Sequence, residues 1–319
     1  MTPPADGGRT RRAFLAAAGA VGLAGCAGAG SGGTTTTSAF EFAPADVGPY
    51  PEWMVRREGA SRFLFSYYPE FARLVEELPA DRLRKAVAAR VGIGADASRG
   101  APPTAVLDAQ DVAEHFYGFT DGFGYHLTRG GFDAGAVRGA LRAELGYEPL
   151  GRSVGEFDLL ATERRAAGVV EGLLIDVDAA FADPVPRFEA VHATVRGDAP
   201  SFAADGSYAL LADALRAGHW VQSRPNVAAD LGVAAYGRQY VYGTAEFSQI
   251  QEVLVGDGLT ADGVRAAVAA ESGLFDALGG NVAAVAVDGR VGTVTYEPVP
   301  TAEAWGGQYG GFVDVYSTE

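Results

Sequence analysis

Gly151-Arg152-Ser153-Val154-Gly155 matches the G-x-S-x-G pattern of a serine nucleophile on a tight turn. A hydrolase needs a core strand before that serine and a helix after it. Here the preceding Gly146 to Leu150 is broken by Gly and Pro, and the following Glu156 to Leu160 has strand character. The bland expectation is a loop before a hairpin, and a catalytic Ser153 would need a histidine within hydrogen-bond reach. Four histidines are present: His115, His126, His192 and His219. None pairs with another histidine or with a cysteine at i+2 or i+4, so no metal-site spacing appears. His126 reads as surface or half-buried, and His219 as lying at a helix end, where an imidazole suits the dipole. Asp176-Val177-Asp178 sets two carboxylates on one side of an extended segment. A hard cation would want more oxygens and a Gly-containing loop, so solvated surface is the expected setting. Phe116 to Tyr125, FYGFTDGFGY, is the most unusual local composition. It either lines a pocket or plugs the core between a helix over 109–116 and the next strand, and the plug is the favoured reading. No Walker loop and no Rossmann fingerprint occurs, so no cofactor is expected.

The chemistry that spacing supports best lies at the N-terminus. Arg11 and Arg12 stand directly before Ala13 to Gly25, an apolar run of 13 residues. A paired arginine ahead of a weakly apolar stretch is the twin-arginine export pattern. A spanning helix needs about 20 residues, so the run reads as a signal segment and not as a stable anchor. It ends in Leu23-Ala24-Gly25-Cys26, which resembles the lipobox of exported lipoproteins. Cys26 is the only cysteine, so structural disulfides and thiolate metal sites are excluded. A thioether lipid on Cys26, with a second chain, would give stable attachment where one chain is marginal. The expected location is the outer face of the cell membrane.

Composition narrows the partners. The formal charge is −15; removing Arg9, Arg11, Arg12 and Asp6, net +2, leaves −17 on the processed chain. Lys85 is the only lysine. Such a surface has no basic patch for phosphates, so nucleic acid is not an expected partner. The membrane, reached through the lipid on Cys26, is one. An envelope protein or a small-molecule ligand is the other candidate. A carboxylate-rich, lysine-poor chain resembles proteins of extremely halophilic archaea. At molar salt the Debye length is about 3 Å, which screens the self-repulsion. The expected outcome is a folded chain in concentrated salt and loss of structure in dilute buffer, read by circular dichroism across a salt titration.

The elements that would position these residues fall into four stretches. Residues 1–26 are the signal segment, and 27–48 a Gly/Ser/Thr tether whose threonines are either sites for O-linked sugar or plain spacer. Residues 49–197 and 198–319 are two α+β halves. Residues 130–147 and 257–274 align without gaps, sharing Gly131/Gly258, Val137/Val264, Arg138/Arg265, Glu144/Glu271 and Gly146/Gly273 among others. Each copy follows a strand with a helix capped by Asp133 or Thr260, and then with a hairpin. The second hairpin turns at Asp288-Gly289; the first runs Glu156 to Thr162 and Gly168 to Asp176. Flanking helices are expected over Glu70 to Leu78, Asp81 to Val91, Arg187 to Val195 and Ser207 to Ala217. The expected fold is therefore α+β, two related strand–helix–strand–strand units, each with its own antiparallel sheet.

The patterns G-x-F-D…V-R-x-A-L, then G-Y-E, then a hairpin, then A-P-x-F…L-L-A-D-A-L near 199–215, resemble a group of haloarchaeal twin-arginine-exported lipoproteins of unknown function with duplicated α+β modules. More distantly they resemble bacterial surface proteins with repeated sheet-plus-helix modules. None of these patterns is catalytic, so the resemblance implies a fold and a location. The expected role is a non-enzymatic binding or interaction module at the cell envelope. The alternatives are a solute receptor associated with a transporter, which would need two lobes with crossover-connected parallel sheets, and a hydrolase using Ser153.

Overall fold

Successive side chains of a strand point to opposite faces of its sheet. In Leu173–Asp178 this sends Leu174 and Asp176 one way and Ile175 and Val177 the other, and all four are buried. A strand buried on both faces needs cover on both faces. The computed structural model supplies it. It describes residues 50–56, 63–94, 101–120, 123–179, 183–215, 218–228, 232–242, 247–269 and 281–306. The chain divides into compact units Met1–Phe40 and Glu41–Glu319, and the first lies outside the described residues.

The first strands are β1 (Phe63–Tyr68), β2 (Val112–Thr120), β3 (Phe123–Gly130), β4 (Glu148–Val154), β5 (Phe157–Ala161), β6 (Arg165–Val170) and β7 (Leu173–Asp178). The rest are β8 (Trp220–Ala228), β9 (Val233–Tyr242), β10 (Phe247–Gly256), β11 (Val282–Asp288), β12 (Val291–Tyr296) and β13 (Val299–Pro300). They form one sheet in the order β11-β12-β10-β9-β8-β1-β2-β3-β7-β6-β5-β4, with β13 also on β10. Every named pairing is antiparallel.

This corrects the expectation of two units with separate sheets. Strands β1 and β8 pair with each other, with Ser66 opposite Gln222. Two separate sheets would each have left an unpaired row of backbone donors and acceptors there, and joining them removes both free edges.

Helices α1 (Phe71–Glu77), α2 (Asp81–Arg90), α3 (Ala134–Glu144), α6 (Ala261–Ala269) and α7 (Thr301–Gly306) serve one face, and α4 (Pro184–Val195) and α5 (Gly206–Ala214) the other. Each face has its own apolar core. The first gathers Phe71, Leu74, Leu141, Trp220, Tyr240 and Trp305. There Trp220 stacks on Tyr240, ring centroids 4.4 Å apart, and on Tyr68 at 5.4 Å, while Arg90 lies over its ring at 4.7 Å. The second gathers Tyr67, Phe116, Tyr125, Phe188, Tyr208 and Leu211.

Local signals explain several ends. Asp133 caps α3 by accepting from the Ala136 N–H at 2.6 Å. Asp183 does the same for Val185 at the start of α4, with Pro184 at its first position. Asp205 caps α5 through Ser207 and Tyr208. The Asp288-Gly289 hairpin joins β11 to β12 as expected.

Two readings need correction. Residues 112–120 are strand and not the end of a helix, because Val112, His115, Phe116, Tyr117 and Phe119 are the β-branched and aromatic types that suit a pleated surface, and they pair along β3. The stretch 168–176 is not one strand but the end of β6 and the start of β7. Gly172, at φ 68°, makes the turn between them in a region that side chains with a Cβ avoid. Among the described residues, no helix is long and apolar enough to cross a membrane.

Candidate functional site

Residues directly opposite each other on neighbouring strands share a face. On the face covered by α1 to α3, one such row reads Glu252, Arg238, Gln222, Ser66, Tyr117, His126, Asp176 from β10 across to β7. A row of polar groups thus passes through the middle of an apolar core. Glu252, Arg238, Gln222 and Asp176 are buried there. Burying a charge is costly unless it is paired and hydrogen-bonded, so each end of the row has to be satisfied locally.

At the β10 end the pairing is closed. The Arg238 guanidinium donates from Nη2 to Glu252 Oε1 at 2.6 Å and from Nε to the same oxygen at 3.1 Å. The Tyr236 hydroxyl donates to Oε1 at 2.7 Å and the Tyr296 hydroxyl to Oε2 at 2.8 Å. Four donor contacts hold one carboxylate, and both charged side chains are almost completely buried.

At the β7 end it is open. Arg165 on β6 lies between two carboxylates of β7, with Nη1 2.6 Å from Asp176 Oδ2 and Nη2 2.7 Å from Asp178 Oδ2. One guanidinium therefore serves two acids. The remaining oxygens, Asp176 Oδ1 and Asp178 Oδ1, are buried and make no hydrogen bond among the described residues. Arg164 approaches Asp178 Oδ1 only to 3.8 Å. Burial, with Asp178 beside it and Arg165 opposing, pushes the Asp176 carboxyl up to about 7. Tyr147, just before β4, adds a buried phenol whose ionisation is pushed up by burial and then by Asp176.

Next to Asp176 across β3 and β2 stand two imidazoles. His126 Nδ1 is 3.4 Å from His115 Nε2, and His115 Nδ1 is 3.0 Å from the Thr128 hydroxyl. Burial pushes His115 down to about 3. His126 is held well below the ordinary imidazole range by burial, then by His115 and Arg165. Both rings are neutral at neutral pH.

A bowl of about 640 Å³ opens over the Arg165 end. Its wall is Leu145 and Gly146 after α3, Glu148 of β4, and Ala161 to Arg165, and Asp178 lies in its floor. The bowl thus combines two guanidinium groups, three carboxylates and a small apolar wall. Among the described residues, no group of three or more His, Cys, Asp or Glu side chains is gathered to hold a metal ion.

The sequence candidates fall as follows. Cys26, Arg11 and Arg12 lie outside the described residues. Ser153 sits on β4, not in a loop, and its hydroxyl donates to Asp158 Oδ1 at 2.7 Å. The His192 ring packs against Gly155, but its Nε2 faces Glu156 Oε2 at 3.3 Å. The Ser153 hydroxyl and the His192 ring therefore each bond elsewhere. His219 accepts from the Tyr242 N–H at 3.1 Å just before β8, not at a helix end. The Phe116 to Tyr125 rings plug the core: Phe116, Phe123 and Tyr125 are buried against Trp53 and its neighbours, and Tyr125 donates to the Trp53 carbonyl. Asp176 is fully buried and not solvated surface. Sequence reading missed Arg165 and the two-histidine contact altogether. Their signal is hairpin register, which brings residues 11 positions apart side by side, and not the short spacing of a helix.

Fold and site together define a three-layer protein, an antiparallel sheet between helices with a charged bowl near one end. No protein-family model matches the chain. No curated protein matches it. Solved structures of TP0453 are similar to it. Crystal form I has a TM-score of 0.49 at 8% identity, covering 82% of this chain and 96% of that one. Form III has 0.49 at 7%, covering 82% and 98%, and form IV 0.48 at 7%, covering 76% and 91%.

Proposed function

We propose that this chain is a non-enzymatic binding module of the cell envelope, exported through Arg11 and Arg12, tethered by lipid on Cys26, and offering the Arg165 bowl to a small polar ligand. The observation that carries the ligand reading is Asp178 Oδ1, an oxygen of a carboxylate that lines the bowl and that lacks a hydrogen bond among the described residues. A buried acceptor left unpaired costs about 1–3 kcal/mol. A ligand that donates hydrogen bonds, an ammonium or a polyol, would recover that cost on binding. The closed Arg238–Glu252 cluster offers nothing comparable.

The test has two parts. Mass spectrometry of the native N-terminus should find a chain that starts at Cys26 with a thioether lipid. A melting screen in molar salt against amines, amino acids and polyols should find a class that raises Tm, and Asp178→Asn should cut that rise. A mature chain that retains residues 1–25 sinks the tether. A screen in which no compound raises Tm, or in which Asp178→Asn leaves the rise intact, sinks the bowl.

A further inference from the structure

The sheet has two outer strands, and they are built differently. The outer strand β4 carries the features that stop a sheet from growing. Pro149 lacks a backbone N–H, Gly151 sits at φ 64°, Glu148 and Arg152 add charge, and the register breaks between Pro149 and Ser153. The opposite outer strand β11 carries almost none of them. From Val282 to Val287 it reads Val-Ala-Ala-Val-Ala-Val, with no proline, glycine or charge, and its one irregularity is at its start, between Val282 and Ala284. Among the described residues it pairs with β12 alone. Val282, Ala283, Ala284 and Ala286 are exposed. A groove of about 390 Å³ runs beside it, lined by Arg265, Val268 and Ala269 of α6 and by Val282 to Val285.

We infer that β11 is an interface between two copies of this chain, joined edge to edge as an antiparallel pair about a twofold axis. The sequence of the strand selects that occupant. In antiparallel self-pairing centred on Val285, Val285 faces Val285 of the second copy, Ala284 faces Ala286, and Ala283 faces Val287, so that opposed residues share a face. Asp288 then faces Val282, so no like charges meet directly. A parallel pairing would instead set Asp288 on Asp288, which is unfavourable. Antiparallel pairing of one strand with itself is isologous, so it closes at two copies and does not propagate through this edge. The guarded β4 edge stops growth on the other side. The global charge of −15 opposes association in dilute buffer and is screened in molar salt.

Sedimentation equilibrium of the full processed chain in molar salt tests this. The expected result is a monomer–dimer equilibrium that Ala284→Lys and, separately, Ala286→Lys each weaken about tenfold or more, with Tm unchanged. Leu150→Lys on the β4 edge should leave it unaltered. Hydrogen exchange supplies the second readout, with amides of residues 282–287 protected in the dimer and exchanging in the lysine variants. A wild type that stays monomeric overturns the inference, including the case in which those amides are protected in the monomer by another segment of the same chain. A dimer that both lysine variants leave intact, or growth beyond two copies, also overturns it.

Discussion

Arg238→Met is expected to lower folding stability by about 3–5 kcal/mol, the range for removing one partner of a buried ion pair. The side chains of Arg238 and Glu252 are 1% and 0% exposed, and the pair is joined at 2.6 Å. Without the guanidinium, Glu252 keeps only the Tyr236 and Tyr296 hydroxyls, and its charge stays inside a core walled by Tyr240, Ile250 and Val294. The loss is therefore mostly the cost of a stranded carboxylate and not the worth of the bond itself. That distinction has a consequence. The double variant Arg238→Met with Glu252→Leu should recover most of the loss, because packed apolar groups of similar size replace a buried pair at little cost. Urea unfolding of the three proteins at one fixed salt concentration measures both effects. A single-variant loss below about 1 kcal/mol, or a double variant no better than the single, would refute the account of Glu252.

Local order was legible where one residue type does one job. Asp133, Thr260 and Gly146 mark helix ends, and their contacts are those expected: Asp133 to the Ala136 N–H, Thr260 Oγ1 to the Gly263 N–H, and a Tyr147 N–H to Leu141 carbonyl bond closing α3. The Asp288-Gly289 turn was legible for the same reason. The continuous sheet was not. Alternation in β9 and β10 reveals two faces, yet it does not say whether water or a helix covers the second one. Polar residues at alternate positions, such as Arg238 and Glu252, read as solvated until both faces are seen to be covered.

The candidate site was hidden by the same ambiguity and by register. Asp176-Val177-Asp178 reads as a carboxylate pair, while the cation between them, Arg165, belongs to the preceding strand. His115 and His126 lack the i+2 or i+4 spacing of a local pair and meet instead across a hairpin. Register depends on the turn between strands, and here that turn lies outside the described residues at 121–122. The G-x-S-x-G match shows the opposite failure. Its spacing is right, but Ser153 on an outer strand bonds to Asp158 and not to a base.

The second large effect is a dependence of stability on pH that resides in Asp176. Two carboxylates share Arg165, so the cluster carries a net negative charge when both are ionised, and protonating the fully buried one removes it. Burial first, and then the neighbouring Asp178 charge, pushes the Asp176 carboxyl up to about 7 against the opposing pull of Arg165. An acid raised in the native state keeps its proton over a range in which the unfolded chain has lost it. Its stabilising contribution is complete below the ordinary carboxylate range and declines as pH rises through about 7. At 1.36 kcal/mol per pH unit the decline is roughly 2–4 kcal/mol. Asp176→Asn keeps an acceptor for Arg165 and leaves the Arg165–Asp178 pair in place, and it cannot ionise. Relative to wild type it should be about equal at pH 4 and more stable by about 2 kcal/mol or more at pH 8. The other groups facing this cluster are Tyr147, Tyr117, His126 and, behind it, His115. Both histidines are depressed by burial, so their contributions run the other way and are lost as pH falls below the ordinary imidazole range. They are present in both proteins and cancel in the difference. Denaturant midpoints for the two proteins at pH 4, 6 and 8, at matched molar salt, isolate the Asp176 contribution, and a wild-type-to-variant difference that is flat across that range would place the pH dependence elsewhere.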